Sequence, residues 1–393
     1  MISLAYPELT REASGNTNVT EETTAYYAKA NFETELAGYP VRGNFGARYV
    51  ETEVKSVGYR PTYTVTTDPD DSTLSLNTDS SQLERVVGGA SYEELLPSFG
   101  FTADLDENLL LRGGVFRAMS RVDPSDMSYN RTFSANTSDD DNPITELGDL
   151  LNVSGSGNPG YEPLMSWNYD LALEWYPTKD SILAAGVYYK RFNAGFENAV
   201  VNESFTIDGE SVVLPITINS TSDEEADITG IELTAAHRFE NGLGAKISYN
   251  YADSNFEFQD SNYGERGVRQ ADGTFTQTHV ALVAPGNIPG LSKNVLSAKL
   301  YYQWDDFDIA AYYKLRDQYF QPYTSNGTRL RYVDKNEVLE LRASVDVSEN
   351  LKLSLAAMNL LDEPRVDRFY QENNFGQQSV YGPRLFFSAR YKM

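Results

Sequence analysis

The sequence predicts an all-β chain that forms an antiparallel transmembrane β-barrel wall, partial, of about 13 strands and open or incompletely closed. Apolar and polar residues alternate at period two in segment after segment, connections alternate short and long, and aromatic side chains gather at strand ends. Composition sets the limits. The chain has 393 residues, with 32 basic and 57 acidic side chains for a formal net charge of −25, which excludes the basic footprint of a nucleic-acid binder. There is no cysteine, so disulfides, thiol catalysis and cysteine-ligated metal are excluded, and two histidines exclude a histidine-rich metal site. No apolar run approaches the ~18 residues of a membrane helix, and the first residues lack the basic and apolar regions of a signal peptide.

The segment 166–176 carries the pattern most clearly. Trp167, Tyr169, Leu171, Leu173 and Trp175 fall on one face, Asn168, Asp170, Ala172 and Glu174 on the other. From Trp167 to Trp175 is about 26 Å along a strand at ~3.3 Å per residue. Tilted by ~40° this covers roughly 20 Å of height, close to the ~25 Å apolar band between two aromatic girdles of an outer-membrane barrel.

The same alternation predicts strands at 244–251, 295–304, 306–316 and 338–347, and a last strand that places Leu385, Phe387, Ala389, Tyr391 and Met393 on one face. Further strands are expected near 22–36, 41–58, 95–104, 108–121, 180–197, 228–239 and 350–361. Helices are excluded because charges recur at every second residue, not every third or fourth. A polar inner face also accounts for the mean hydropathy of −0.46.

Short connections are expected at Ala37–Pro40, Leu105–Asn108, Pro177–Asp180, Glu240–Gly242, around Asp305 and at Ser348–Asn350. Long ones are expected at about 60–91, 122–165, 198–226, 259–292, 322–336 and 362–378, rich in Asp, Asn, Ser, Gly and Pro and therefore solvated. Within 198–226, Val200, Phe205, Ile207, Val212, Leu214 and Ile216 have the spacing of a hairpin on the loop side. Strict alternation of short and long is the barrel's signature of tight periplasmic turns and long outer loops. On that orientation an odd strand count puts the two ends of the wall on opposite sides of the membrane, which predicts that strands preceding residue 22 are absent.

Family resemblance agrees with the pattern. Gly157–Pro163 followed by Trp167–Tyr176, Gly230–Leu233, Asn359–Pro364, Val41–Val50, Leu96–Phe99 and Tyr381–Arg384 through Met393 resemble, in order, stretches of TonB-dependent outer-membrane receptors. The resemblance implies one barrel domain over 1–393, the C-terminal portion of a barrel of about 22 strands with a plugged lumen, with about nine strands and the plug domain absent. It implies location in the outer membrane of a Gram-negative bacterium and uptake of a nutrient, an oligosaccharide being one candidate among glycans and other nutrients. The implied partners are outer-membrane lipid, the TonB complex reached through a plug domain, the barrel-insertion machinery and a small-molecule or glycan substrate. Met393 departs from the aromatic residue usual at that family's terminus. Two other classes fit the alternation less well: a passive porin-like channel and a soluble secreted glycan-binding β-protein.

No nucleophile–base pair is legible, so neither an enzyme nor a cofactor is expected. His237, between Ala235 and Phe239 on an apolar face, reads as an interfacial residue, and His279 as a polar loop residue. Asp139–Asp141, and Asp68 with Asp70 and Asp71, lack the continuation of a calcium loop and read as solvated charge. The expected substrate-binding residues are loop aromatics: Tyr319, Phe320, Tyr323, Tyr370 and Phe375, beside Arg316, Gln318, Gln321 and Asn373. Flat rings with a few amides and guanidinium groups suit sugar faces and hydroxyls. Inward charges such as Lys299, Lys314, Arg316, Arg342 and Arg390, with Glu174, Asp308 and Glu340, are expected to form salt-bridge ladders or plug contacts.

Overall fold

A computed structural model of the chain describes residues 16–136, 143–193, 195–257, 262–271, 273–283, 286–321, 331–369 and 374–392. One antiparallel sheet dominates it. Its strands are β1 (Thr17–Leu36), β2 (Tyr39–Thr67), β3 (Leu74–Asp106), β4 (Leu109–Ser120), β5 (Leu164–Trp175), β6 (Ser181–Asn193) and β7 (Glu225–Arg238). It continues through β8 (Leu243–Ser254), β9 (Asn294–Trp304), β10 (Phe307–Arg316), β11 (Asn336–Ser348), β12 (Leu351–Met358) and β13 (Arg384–Tyr391). All 13 follow one another in chain order, and the sheet is not closed: β1 and β13 each have one neighbour.

Register converts the alternation into two faces. Residues directly opposite on antiparallel strands share a face. One row therefore runs Trp175, Leu183, Ala235, Ile247, Ala298, Tyr313, Leu339 from β5 to β11. The row beside it, on the opposite face, runs Glu174, Ala184, Thr234, Ser248, Ser297, Lys314. The apolar face is turned outward. Leu171 is 46% and Trp175 47% exposed, and Leu233, Leu300, Leu341 and Leu385 are exposed with them. Aromatic rings cluster toward the long-loop end of that face, Trp167 with Tyr169 at 6.4 Å and Tyr169 with Tyr189 at 6.0 Å.

Two expectations about the loops need correction. The stretch 60–91 is not a long loop: β2 and β3 continue pairing beyond the wall as far as Thr67 and Leu74. The long connections are also not simply solvated, because they carry the chain's packed core. Thr132–Ala135 pairs with Leu151–Ser154, and Phe196–Ile207 pairs with Glu210–Thr221, the hairpin anticipated on the loop side. Tyr63 of β2, Phe133, Leu150, Leu151, Phe205, Ile207, Val212 and Leu214 close into one buried cluster. A second cluster joins Val54, Val122, Met127 and Tyr161. Rings of Phe133 stand edge-on to Tyr63 at 5.2 Å and to Phe205 at 5.1 Å. These apolar positions alternate as wall positions do, but they are covered by other loops, so the extended strands pay for their order by packing instead of meeting water.

The two faces give a direct test. Leu300→Arg, on the outward face in mid-strand, is expected to destabilise the folded chain in bilayers by about 2–4 kcal/mol, the depth-dependent cost of arginine in lipid. Ala184→Arg, on the inward face of β6 opposite Glu174, is expected to stay within about 0.5 kcal/mol. Guanidinium unfolding of the protein in vesicles distinguishes them; equal costs would contradict the assignment of faces.

Candidate ligand-binding mouth

At the long-loop end the wall is topped by two different assemblies. Above the N-terminal strands, Arg131 is the hub. Its side chain is 1% exposed, and it reaches Glu203 of the loop hairpin through Nε at 2.9 Å and Nη2 at 2.8 Å. Its remaining nitrogen donates to the carbonyls of Gly155 at 2.6 Å and Gly157 at 2.9 Å, and its guanidinium lies 4.4 Å from the Tyr129 ring centroid. Glycine is required at 157: a Cβ there would sit 1.8 Å from the Ser128 carbonyl oxygen. The 154–159 stretch, expected to be solvated, is therefore held as an acceptor cradle for a buried cation. Burial and the neighbouring Asp126 carboxylate push the Tyr161 hydroxyl up to about 12, so that ring stays neutral in the second cluster.

Above β10 to β13 the loops build a four-stranded sheet from Tyr319–Phe320, Arg331–Val333, Arg365–Phe369 and Phe375–Ser379. It carries a lattice of guanidinium groups and carboxylates. Asp367 accepts from Arg365 at 2.9 Å and lies 3.7 Å from Arg331. Asp334 accepts from Nε of Arg368 at 2.9 Å, and Arg365 also donates to the Gln321 side-chain oxygen at 3.0 Å. Arg316 is laid flat over Tyr319, 3.8 Å from the ring centroid, and donates to Ser292 Oγ at 2.8 Å and to the Gly290 carbonyl.

The structure places the expected site residues unequally. Tyr319 is half-buried beneath Arg316, and Phe320 is 2% exposed, packed against Tyr332 at 5.4 Å. Phe375 is 61% exposed on the outermost strand of the same sheet. Tyr323, Tyr370 and Asn373 lie outside the described residues, as do Asp139–Asp141. Arg365, Asp367 and Arg368 were not anticipated; their Arg-x-Asp-Arg alternation in a supposed loop was the available signal. His237 faces Ser181, with Nδ1 2.6 Å from its Oγ, and stands edge-on to Phe239 at 4.3 Å. His279 falls on Phe275–Val283, outside the residues whose side chains are described. Asp68 and Asp71 accept from the backbone of Asp70 and Thr73 in the turn between β2 and β3. Among the described residues no cluster of His, Asp and Glu could hold a metal ion.

Breaking the Arg131 hub is expected to loosen the cap and leave the wall intact. Glu203→Gln leaves a buried guanidinium short of its carboxylate, at a cost of about 3 kcal/mol. Hydrogen exchange should accelerate over 196–221 and remain unchanged over 243–254.

Comparison with known proteins follows this architecture. The family described as TonB dependent receptor-like, beta-barrel matches residues 3–360. Among solved structures, a point mutant of the ferric enterobactin receptor PfeA from Pseudomonas aeruginosa, in complex with enterobactin, is similar at 14% identity and TM-score 0.51 over 94% of this chain and 54% of that one. The siderophore receptor PirA from Acinetobacter baumannii is similar at 12% identity and TM-score 0.52, covering 95% and 55%. The ferric yersiniabactin uptake receptor FyuA from Yersinia pestis is similar at 14% and 0.52, covering 95% and 46%. At these identities the likeness is one of fold, and the chain spans about half the length of the structures it matches. No curated protein matches it. With the family matched along nearly the whole wall, the chain belongs to the TonB-dependent receptor β-barrel family.

Proposed function

We propose that this chain is the C-terminal portion of a single barrel domain, spanning 1–393, in an outer-membrane receptor of a Gram-negative bacterium. The receptor takes up a scarce nutrient with energy delivered by TonB through a plug domain. The observation that carries this reading is the family match over residues 3–360 of a wall that turns its leucines outward. Geometry supports the rest. β1 and β13 both run toward the short-turn end, so closing the wall by antiparallel pairing takes an odd number of further strands. About nine would bring the count to the 22 of plugged outer-membrane transporters.

The mouth supplies capture. Phe375 offers an open ring face and Tyr319 only the part of its ring that Arg316 leaves uncovered, while Arg365 and Gln321 offer donors and acceptors to hydroxyl groups. That pairing of an apolar platform with a few fixed polar groups suits an oligosaccharide. Phe320, buried under the sheet, holds the platform in place. Outer-membrane lipid and the barrel-insertion machinery are the remaining partners of this reading.

Uptake of labelled gluco-, manno- and galacto-oligosaccharides by cells expressing the protein tests it. Energised import is expected to stop when a protonophore collapses the inner-membrane gradient; import that continues is that of a passive pore. Phe375→Ala is expected to weaken capture of the transported sugar by up to about tenfold, the equivalent of ~1.4 kcal/mol of ring contact.

A further inference from the structure

The inward face of β8 to β11 holds a cluster of cations that the salt-bridge ladders do not absorb. Of the charges expected in ladders, Arg342 pairs with Glu340 at 3.0 Å beside the cluster and Glu174 pairs with Arg112 at 2.9 Å farther along the wall; Arg42 and Asp104, not anticipated, pair at 2.6 Å. Lys246 of β8 and Lys299 of β9 are directly opposite each other in register. Lys314 stands one inward row from Lys299 on the neighbouring strand β10, opposite Ser297. Among the described residues none of these three lysines has a carboxylate within ion-pair distance. Like charges directly across a strand pair are destabilising, and here they are kept.

Tyrosines shape the space around them. Gly244 is bare, so the Tyr301 ring lies across it; a Cβ at that position would be 2.2 Å from the ring. The Lys299 ammonium sits 4.6 Å from the Tyr301 centroid and 5.3 Å from that of Tyr312, and Arg342 stands 5.2 Å from Tyr312 on the other side. Together with Gln303 and Asp308 these residues line an inward concavity of about 340 Å³. Lys299, Arg342 and Asp308 line it, Lys246 adjoins it directly across from Lys299, and Glu340 stands on the row of Lys299 and Lys314 on the next, a local excess of positive charge in a chain of net charge −25.

We infer that this concavity, together with the adjoining Lys246–Lys299 pair at its edge, is a binding site for a carboxylate- or phosphate-bearing solute on the lumen wall. An anion between Lys246 and Lys299 removes their mutual repulsion, Arg342 supplies a directional fork, and the tyrosine hydroxyls and Gln303 serve neighbouring hydroxyl groups. The inference deepens the proposed uptake function by making its cargo an acidic sugar, and it rests on that reading only for the route.

Residue-specific amine acetylation of the detergent-extracted protein, read by peptide mass spectrometry, tests it. Galacturonate and inorganic phosphate are the anionic probes, with galactose and chloride at matched ionic strength as controls. Labelling of Lys246 and Lys299 is expected to slow several-fold with either anion and with neither control, while Lys179, exposed in the turn after β5, reacts at a constant rate. Lys299→Gln should abolish protection of Lys246; Lys314→Gln, one row from Lys299, should weaken it. Equal protection by chloride or galactose, or equal protection of Lys179, overturns the inference. Lysines that resist labelling without any anion overturn it too, because polypeptide then covers the site. Protonophore-insensitive uptake would instead sink the transport reading and leave the lysine protection untouched.

Discussion

Hydrocarbon offers a strand no hydrogen-bond partner, so a wall that crosses it must satisfy every backbone group from its neighbours and present only apolar side chains outward. That single requirement fixes the register of the sheet. A slip of one residue between β5 and β6 would turn Asp170 and Glu174 into the membrane and Leu171 and Leu173 into the lumen. Each strand therefore has one acceptable pairing, and the row from Trp175 to Leu339 follows from it. The outward leucines are exposed on this chain because their partner is solvent hydrocarbon, not protein.

The same requirement explains why the packed interior lies above the wall. Between the faces of a single sheet there is no volume to fill, so the buried clusters form where loops fold back on one another. Tyr63, Phe133 and Phe205 meet there from three distant stretches of chain. Arg131 sits among them as a cation whose burial is offset by Glu203, two glycine carbonyls and the Tyr129 ring. Such a centre fixes the direction in which the hairpin at 196–221 leaves the wall. The cap is thereby a shaped rim, while the smaller sheet over β10 to β13 remains open on its Phe375 side.

What could be read from the sequence divides along the range of the interactions. The thirteen wall strands follow from local alternation, since Trp167, Leu171 and Leu173 announce their face within a few residues, but the strand expected at 180–197 ends at Asn193 and Phe196 already belongs to the loop hairpin. The continuation of β2 and β3 past residue 60 depends on contacts with Phe133 and Leu150, far along the chain, and so reads as loop. Phe320 and Phe375 look alike as loop aromatics; only the strand that covers Phe320 separates platform from support. Arg365 and Arg368 carried a visible alternation with Asp367, but their function as a lattice depends on Asp334 and Gln321 arriving from a different connection.

Charge distribution links the mouth to the lumen. A net charge of −25 would repel an anion approaching the molecule as a whole. Screening limits that repulsion to about 8 Å at physiological ionic strength, so what an anion meets is set by the groups nearest to it. At the mouth these are guanidinium groups already tied to carboxylates, which bind hydroxyls as readily as charge. On the inner wall they are Lys246 and Lys299, side by side and, among the described residues, without a carboxylate partner. A solute that carries both hydroxyls and a carboxylate is matched at both levels, first by its uncharged surface and then by its charge, and a neutral sugar is matched only at the first.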